Sequence, residues 1–215
     1  MAKHLVLIVE DHPVMRRGIR DILGEMPDCT ICGEAADAPD AFKQILEKKP
    51  DLAIIDISLH QGNGLELVKQ VRAADEHVKL LVLSMHDDEI FAERAIRAGA
   101  LGYLNKSAAS TKLVEAVQRV LAGKVYLSVG TADTFLRRLS AGRADEPSPV
   151  ACLSDRELEV LELIGRGQTT REIAEKMALS IKTVETHREH IKAKLDLKNT
   201  AQLSRFAAIW VHDQG

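Results

Sequence analysis

The sequence predicts two folds in tandem: an α/β domain on a five-stranded parallel sheet with helices on both faces, then a small all-α domain of four helices. Three observations carry this. Short apolar runs alternate with helix-period segments from residue 4 to about residue 122, the signature of successive βα units. The stretch Ala141 to Ala151, with Gly142, Pro147, Ser148 and Pro149 among charges, breaks the pattern and reads as a linker. From Leu153 onward the period is helical throughout. A chain of 215 residues has room for one or two domains at roughly 100–200 residues each. The expected boundaries are 1–122 and 150–215, with 123–149 as a linker that has room for a short helix over Val129 to Leu139.

Taken in order, the first strand is Leu5-Val6-Leu7-Ile8-Val9, ending in Glu10 and Asp11. The segment 13–26 places Met15, Ile19, Ile22, Leu23 and Met26 at helical spacing, with Pro13 in its first turn, where a missing N–H costs nothing. A strand near 29–35 and a helix near 38–48 follow. Leu52 to Ile55 is a short apolar run reaching Asp56, the mark of a fully buried strand, and a loop closed by Gly62 and Gly64 leads to a helix near 64–74. Strand 79–84 ends at Ser84, helix 87–98 follows, strand 101–105 runs into Lys106, and helix 109–122 closes the unit. In the second domain, Ser154 with Glu157 and Thr169 with Glu172 are capping boxes that open two helices. A turn of Leu179-Ser180 leads to a helix over 181–195, and a fourth runs from Asn199 to about Val211. Two helices on such a short turn make a helix-turn-helix.

Composition excludes several classes. No apolar run approaches the ~20 residues of a membrane span, and no signal peptide precedes the first strand, so a cytoplasmic protein is expected. Aromatic content of 3% argues against an aromatic-lined pocket for a large ligand. Cys29, Cys32 and Cys152 are an odd count, consistent with a reducing compartment. Cys29 and Cys32 are expected to be ordinary buried cysteines, since residues three apart on a strand face opposite ways. Residues 1–125 hold 16 Lys+Arg against 19 Asp+Glu, and residues 126–215 hold 13 against 13. The second half is thus not broadly basic, and charge alone makes no case for nucleic acid.

In an open parallel sheet, chemistry collects at the carboxyl ends of the strands. Four strand ends here deliver Glu10 and Asp11, Asp56, Ser84 and Lys106 to one rim. Clustered carboxylates need a cation, and hard oxygen ligands suit Mg²⁺.

With Glu10-Asp11, Asp56, Ser84, Tyr103 and Lys106 in these positions, residues 1–122 resemble the receiver domain of two-component response regulators. Residues 150–212 resemble the LuxR-type helix-turn-helix, through Leu153-Ser154, Arg156-Glu157, Glu159-Val160-Leu161 and Ser180, Lys182-Thr183-Val184 and His187. The whole resembles a response regulator of the NarL/FixJ type. The resemblance implies a flavodoxin-like receiver with strand order 2-1-3-4-5. It also implies that a sensor histidine kinase phosphorylates Asp56, and that the chain is no enzyme beyond its own phosphorylation and dephosphorylation there. By resemblance, Mg²⁺ is held by Asp11, Asp56 and the Ser58 carbonyl with help from Glu10. Lys106 supplies fixed positive charge, and Ser84 binds the phosphoryl group, so that Tyr103 can turn inward. Tyr103 also reads as a plain core aromatic, and His12 as a packing or surface residue. Met85 and His86 flank the site. Leu59-His60 and Ser107 depart from the family's usual Met-Pro and Pro; Leu59 can still fill the Met pocket.

On the helix over 181–195, at 100° per residue, Ile181, His187, Ile191 and Leu195 fall within about 60° of Val184 and form a packing face. Lys182, Glu185, Thr186, Glu189 and His190 point away and are candidates for the major groove. Thr183, Arg188, Lys192 and Lys194 flank them and suit phosphates. The expected target is double-stranded DNA, bound as a dimer on paired half-sites, with the dimer contact on the last helix through Leu203, Phe206 and Trp210. RNA polymerase is a further candidate partner. Two other readings stand beside this one. A Mg²⁺-dependent phosphohydrolase would share the acid-and-lysine rim but needs a second acid near Asp56, and by resemblance to such enzymes an aspartate would be expected where Ser58 stands. A protein–protein adaptor would use the last helices on a partner instead of DNA.

Overall fold

A computed structural model describes residues 3–59, 62–85, 88–128, 130–133, 150 and 152–212. The chain divides into two compact units between Arg137 and Arg138.

The first unit alternates strand and helix: β1 His4–Val9, α1 Pro13–Gly24, β2 Cys29–Ala35, α2 Ala38–Lys48, β3 Leu52–Asp56, α3 Gly64–Ala74, β4 Lys79–Ser84, α4 Asp88–Ala98, β5 Gly102–Asn105 and α5 Ala109–Leu121. All pairings are parallel and the order is β2-β1-β3-β4-β5. β3, in the middle, is buried along its whole length, as a run without polar alternation requires. Alternation then divides the sheet. Val6, Ile8, Leu52, Ile54, Leu81 and Leu83 pack on Ile19 and Leu23 of α1 and Leu113, Val117 and Val120 of α5. The other face is covered by α2, α3 and α4, which pack side by side.

Local chemistry starts the helices where expected. Pro13 opens α1. The Asp37 carboxylate accepts from Asp40 N–H at 2.8 Å to cap α2, and Asn63 Oδ1 accepts from Leu65 and Glu66 N–H to cap α3. A single turn of 3₁₀ helix, Lys106–Ala108, precedes α5.

Two features differ from the expected pattern. The β1–β2 register slips between Val6 and Leu7, so that Ile31 pairs with Val6 but Gly33 with Leu7. Cys32 is the extra residue of a bulge. It is therefore half-buried where a buried cysteine was expected, with its thiol against the Val6 carbonyl at 3.5 Å, while Cys152 is exposed. The second feature lies past α5. The chain returns to the sheet edge: Tyr103 N–H donates to the Tyr126 carbonyl at 2.9 Å, and Tyr126 N–H to the Leu101 carbonyl at 3.0 Å. Residues 130–133 are helical; the rest of the segment read as a short helix and linker lies outside the described residues.

The second unit comprises α6 Asp155–Gly165, α7 Thr170–Lys176, α8 Ile181–Lys194 and α9 Thr200–His212. Both capping boxes form, Ser154 with Glu157 and Thr169 with Glu172. α7 ends earlier than its periodicity suggests, because Ala178 adopts a left-handed conformation (φ 51°) that turns the chain toward the Ser180 cap of α8. Val184, Ile191, Leu203, Ala207 and Trp210 join Leu158 and Leu161 in the core. A Cβ on Gly165 would lie 2.4 Å from the Ala207 carbonyl, so glycine there sets how closely α6 and α9 approach. Among the described residues no helix is long and apolar enough to cross a membrane.

Candidate functional site

Because every strand is parallel, the carboxyl ends of β1, β3, β4 and β5 share one rim. Glu10 and Asp11 follow β1, Asp56 ends β3, Ser84 ends β4, and Lys106 follows β5. Asp56 is 2% exposed, and Glu10 and Ser84 are fully buried. Lys106 Nζ lies 2.8 Å from Glu10 Oε2 and 2.8 Å from Asp56 Oδ2. Burial alone would lower the Lys106 ammonium, but Asp56 and Glu10 outweigh it and hold it above the usual lysine range. Glu10 goes up as well: burial and the Asp56 charge raise it against the pull of Lys106.

Asp11 completes the acidic corner. One donor atom each from Glu10, Asp11, His12 and Asp56 lies within 4.8 Å of all the others. His12, read from the sequence as a packing or surface residue, is at the surface, with Nδ1 2.7 Å from Asp11 Oδ1 and 3.4 Å from Glu10 Oε1. Three carboxylates against one buried ammonium leave a negative corner built of oxygen donors, which fits a hard dication such as Mg²⁺. Ser58 N–H donates to Asp56 Oδ1 at 3.2 Å. Leu59 is buried. Ile57 N–H donates to the Leu83 carbonyl, and Gly64 N–H to the Ile57 carbonyl. A Cβ on Gly64 would stand 2.0 Å from the Asp56 carbonyl oxygen. Only glycine lets α3 begin against the backbone that carries Asp56.

Tyr103 is 2% exposed, so its ring is already inside. Met85 is exposed beside Ser84; His60 and His86 lie outside the described residues. Sequence reasoning missed Arg16, whose Nη1 donates to the Glu10 carbonyl at 2.5 Å while Nε pairs with Glu34 at 3.3 Å. Its signal was faint: an arginine one turn into the helix that follows the acidic pair.

The second site is α8. Lys182, Glu185, Thr186 and Glu189 form an exposed row, and Val184 and Ile191 face inward. Thr183 and Arg188 are half-buried. Lys192 is mostly covered and pairs with Glu189 at 2.9 Å. His187 is half-buried on the inner side, where burial lowers its imidazole despite the raising effect of nearby Glu157. Ile181 differs from expectation. It is 49% exposed, because a side chain at the first helical position leans back past the helix end, away from the bundle. His190 is exposed as expected, and so is Lys194, but both lie beside a carboxylate of α6: His190 Nδ1 is 3.6 Å from Glu157 Oε1, and Lys194 Nζ 2.6 Å from Glu157 Oε2. On α9, Leu203 and Trp210 are buried in the bundle and Phe206 is half-buried, while Ile209 is 50% exposed. Leu203 and Trp210 are therefore spent on the core, and Ile209 is the apolar side chain left outward.

Comparison with known proteins covers both units. Residues 6–118 match the response regulator receiver domain, and residues 151–207 match the bacterial regulatory proteins of the luxR family. The chain is 36% identical over 207 residues to the oxygen regulatory protein NreC of Staphylococcus haemolyticus (strain JCSC1435), covering 94% of this chain and 95% of that one. It is similar to RcsB from Salmonella enterica serovar Typhimurium bound to promoter rprA in the presence of phosphomimetic BeF3⁻, with TM-score 0.62 and 26% identity over 96% of this chain and 98% of that one. A structure of two RcsB dimers bound to two parallel DNAs matches with TM-score 0.59 and 26% identity, over 96% and 98% of the respective chains.

Proposed function

Because the chain belongs to the two-component response regulators that join a receiver to a LuxR-type DNA-binding domain, we propose that Mg²⁺-dependent phosphorylation of Asp56 by a sensor histidine kinase gates its binding to promoter DNA. The observation that carries this is the convergence of Glu10, Asp11, Asp56 and Lys106 on one rim. An Asp56 oxygen attacks phosphorus as the bond to the donor nitrogen breaks, a nucleophilic displacement. Asp11, Asp56 and the Ser58 carbonyl, with Glu10 behind them, would hold Mg²⁺, which when bound would supply charge neutralisation for the transferring group. Lys106, already 2.8 Å from the attacking carboxylate, follows the charge onto the phosphoryl oxygens. The Ser84 hydroxyl donates to a phosphoryl oxygen once one is present. Tyr103, inside the fold beside β4, then stabilises the switched arrangement. The chain acts on no other substrate; its chemistry is its own phosphorylation and dephosphorylation.

On DNA, Lys182, Glu185, Thr186 and Glu189 read base edges in the major groove, while Thr183, Arg188 and Lys192 serve the backbone. The RcsB dimers seen on DNA support a dimer on paired half-sites, here with Ile209 as the outward apolar contact on α9. The protein works in the cytoplasm, with RNA polymerase as its downstream partner. The test is incubation with acetyl phosphate and Mg²⁺. One acid-labile phosphate per chain, lost in Asp56→Asn and accompanied by tighter binding to DNA, is the expected result. Many turnovers of phosphate release would favour a phosphohydrolase, and unchanged DNA affinity would refute the gate.

A further inference from the structure

The two capping boxes of the second unit are alike in sequence and different in use. In the second, among the described residues, the Glu172 carboxylate serves only its own helix start, accepting from Thr169 N–H and Oγ1 at 2.7 and 2.8 Å. In the first, the Glu157 carboxylate is nearly buried and reaches a second helix. Oε2 accepts from Ser154 N–H at 2.7 Å and from Lys194 Nζ at 2.6 Å, and His190 Nδ1 stands 3.6 Å from Oε1. His190 and Lys194 lie four residues apart on α8, on a stripe beside the row of Lys182, Glu185, Thr186 and Glu189, and both are themselves exposed. His187, one turn before His190, is also close enough to feel the Glu157 charge.

The geometry points to Glu157 as a positioning residue for DNA reading. It clasps the C-terminal half of α8 through Lys194, with His190 alongside, and so keeps the Lys194 cation off the DNA backbone. This rests on α8 being the DNA-reading helix. A cation on a reading helix has two uses. Placed on a phosphate it adds affinity for every sequence alike. Placed on a buried carboxylate it fixes the angle at which the helix presents its base-reading row. Glu157 is buried, hydrogen-bonded at a helix cap and paired with a lysine at 2.6 Å, which favours the second use. Removing the lysine would leave a buried carboxylate without its cation, which costs more than breaking a pair exposed at both ends. The clasp therefore trades general affinity for orientation.

The test uses the full-length chain and two duplexes: one selected from a random pool by the wild-type protein, and a shuffled duplex of equal composition. Glu157→Gln is the informative change, because glutamine still completes a capping box while its charge is gone. The expected result has opposite signs on the two probes. Affinity for the shuffled duplex rises severalfold and its salt slope steepens by about 1, near 0.9 for the one released lysine, while the ratio of selected to shuffled affinity falls about tenfold or more. Adding Lys194→Gln to Glu157→Gln takes back about one unit of slope, and Lys194→Gln alone leaves the wild-type slope unchanged. A carboxylate that merely held the fold together would weaken both duplexes in parallel, and that result overturns the proposal, as does Glu157→Gln behaving like wild type. Should Glu157→Gln fail to fold by circular dichroism, Lys194→Gln alone decides: a slope reduced by about one means Lys194 already sits on a phosphate, and the clasp is wrong. A wild-type protein with no preference between the duplexes would instead overturn the DNA-reading role of α8.

Discussion

Replacing Asp56 by Asn should stabilise the first unit without Mg²⁺ and destabilise it, relative to wild type, with Mg²⁺. The Asp56 carboxylate lies 2.8 Å from Lys106 Nζ, an attraction of about 6 kcal/mol at an effective dielectric of about 20. The same carboxylate has donor atoms of Glu10 and Asp11 within 4.8 Å, a repulsion of at least about 3.5 kcal/mol from each on the same basis. The repulsions exceed the attraction by about 1 kcal/mol, and relief of burying the charge adds to the gain. Asparagine keeps the shape, and its Oδ1 can still accept from Lys106. The expected gain is on the order of 1 kcal/mol, or roughly 3–5 °C for a unit of this size. Mg²⁺ at about a hundred times its Kd would stabilise the wild type by about 2.7 kcal/mol and reverse the order, since Asn is a poor ligand. The two units can be followed apart: both tyrosines, Tyr103 and Tyr126, lie in the first and the single tryptophan, Trp210, in the second. Denaturant titrations read by tyrosine near-ultraviolet dichroism, with chelator and with Mg²⁺, give both values. A variant less stable than wild type by 1 kcal/mol or more in chelator would refute the charge balance.

Gly64→Ala forces a Cβ to within 2.0 Å of the Asp56 carbonyl; it should cost the first unit about 1–3 kcal/mol and slow labelling by acetyl phosphate, and normal stability with normal labelling would show that α3 can move away freely. Burial raises the Glu157 carboxyl, but the Lys194 and Ser154 hydrogen bonds outweigh it and hold it below the usual 4.5, so its stabilisation is complete above pH 4.5 and lost as pH falls through the folded value. Tryptophan-detected unfolding below pH 4.5 should therefore be shallower in Glu157→Gln than in wild type, and parallel curves would mean that the pair stabilises nothing. Glu185→Ala should relax base preference at one position of the selected duplex by about 1–3 kcal/mol, read by repeating the selection with the variant; an unchanged preference would turn this face of α8 away from the bases.

What the sequence made legible was local. Apolar runs marked four of the five strands, all but β2, because a buried parallel strand needs no polar alternation, and the helix starts at Pro13, Ser154 and Thr169 announced themselves through a first-turn proline and two capping boxes. The meeting of Glu10, Asp56 and Lys106 at a rim followed from topology, but the bridging position of Nζ depends on the path of a long side chain and is not written in spacing. The bulge at Cys32 was hidden because one extra residue in seven leaves the apolar pattern nearly intact. The edge pairing of Tyr126 was hidden too: Val125-Tyr126-Leu127 is β-prone but only three residues long, and its partner lies across α5. Ile181 misled because a helical wheel has no ends.

The ion pair between Glu10 and Lys106 joins residues 96 positions apart in the chain. A nascent polypeptide grown only as far as β4 holds all three carboxylates but lacks Lys106, the ammonium that bridges Glu10 and Asp56. Competence arrives with the last strand, all at once. If Asp56 is the phospho-acceptor proposed above, its labelling is also a clock for the completion of folding: its onset in a refolding experiment should coincide with formation of the β4–β5 pairing, and no shorter fragment ending before Lys106 should be able to compete for a kinase's phosphate.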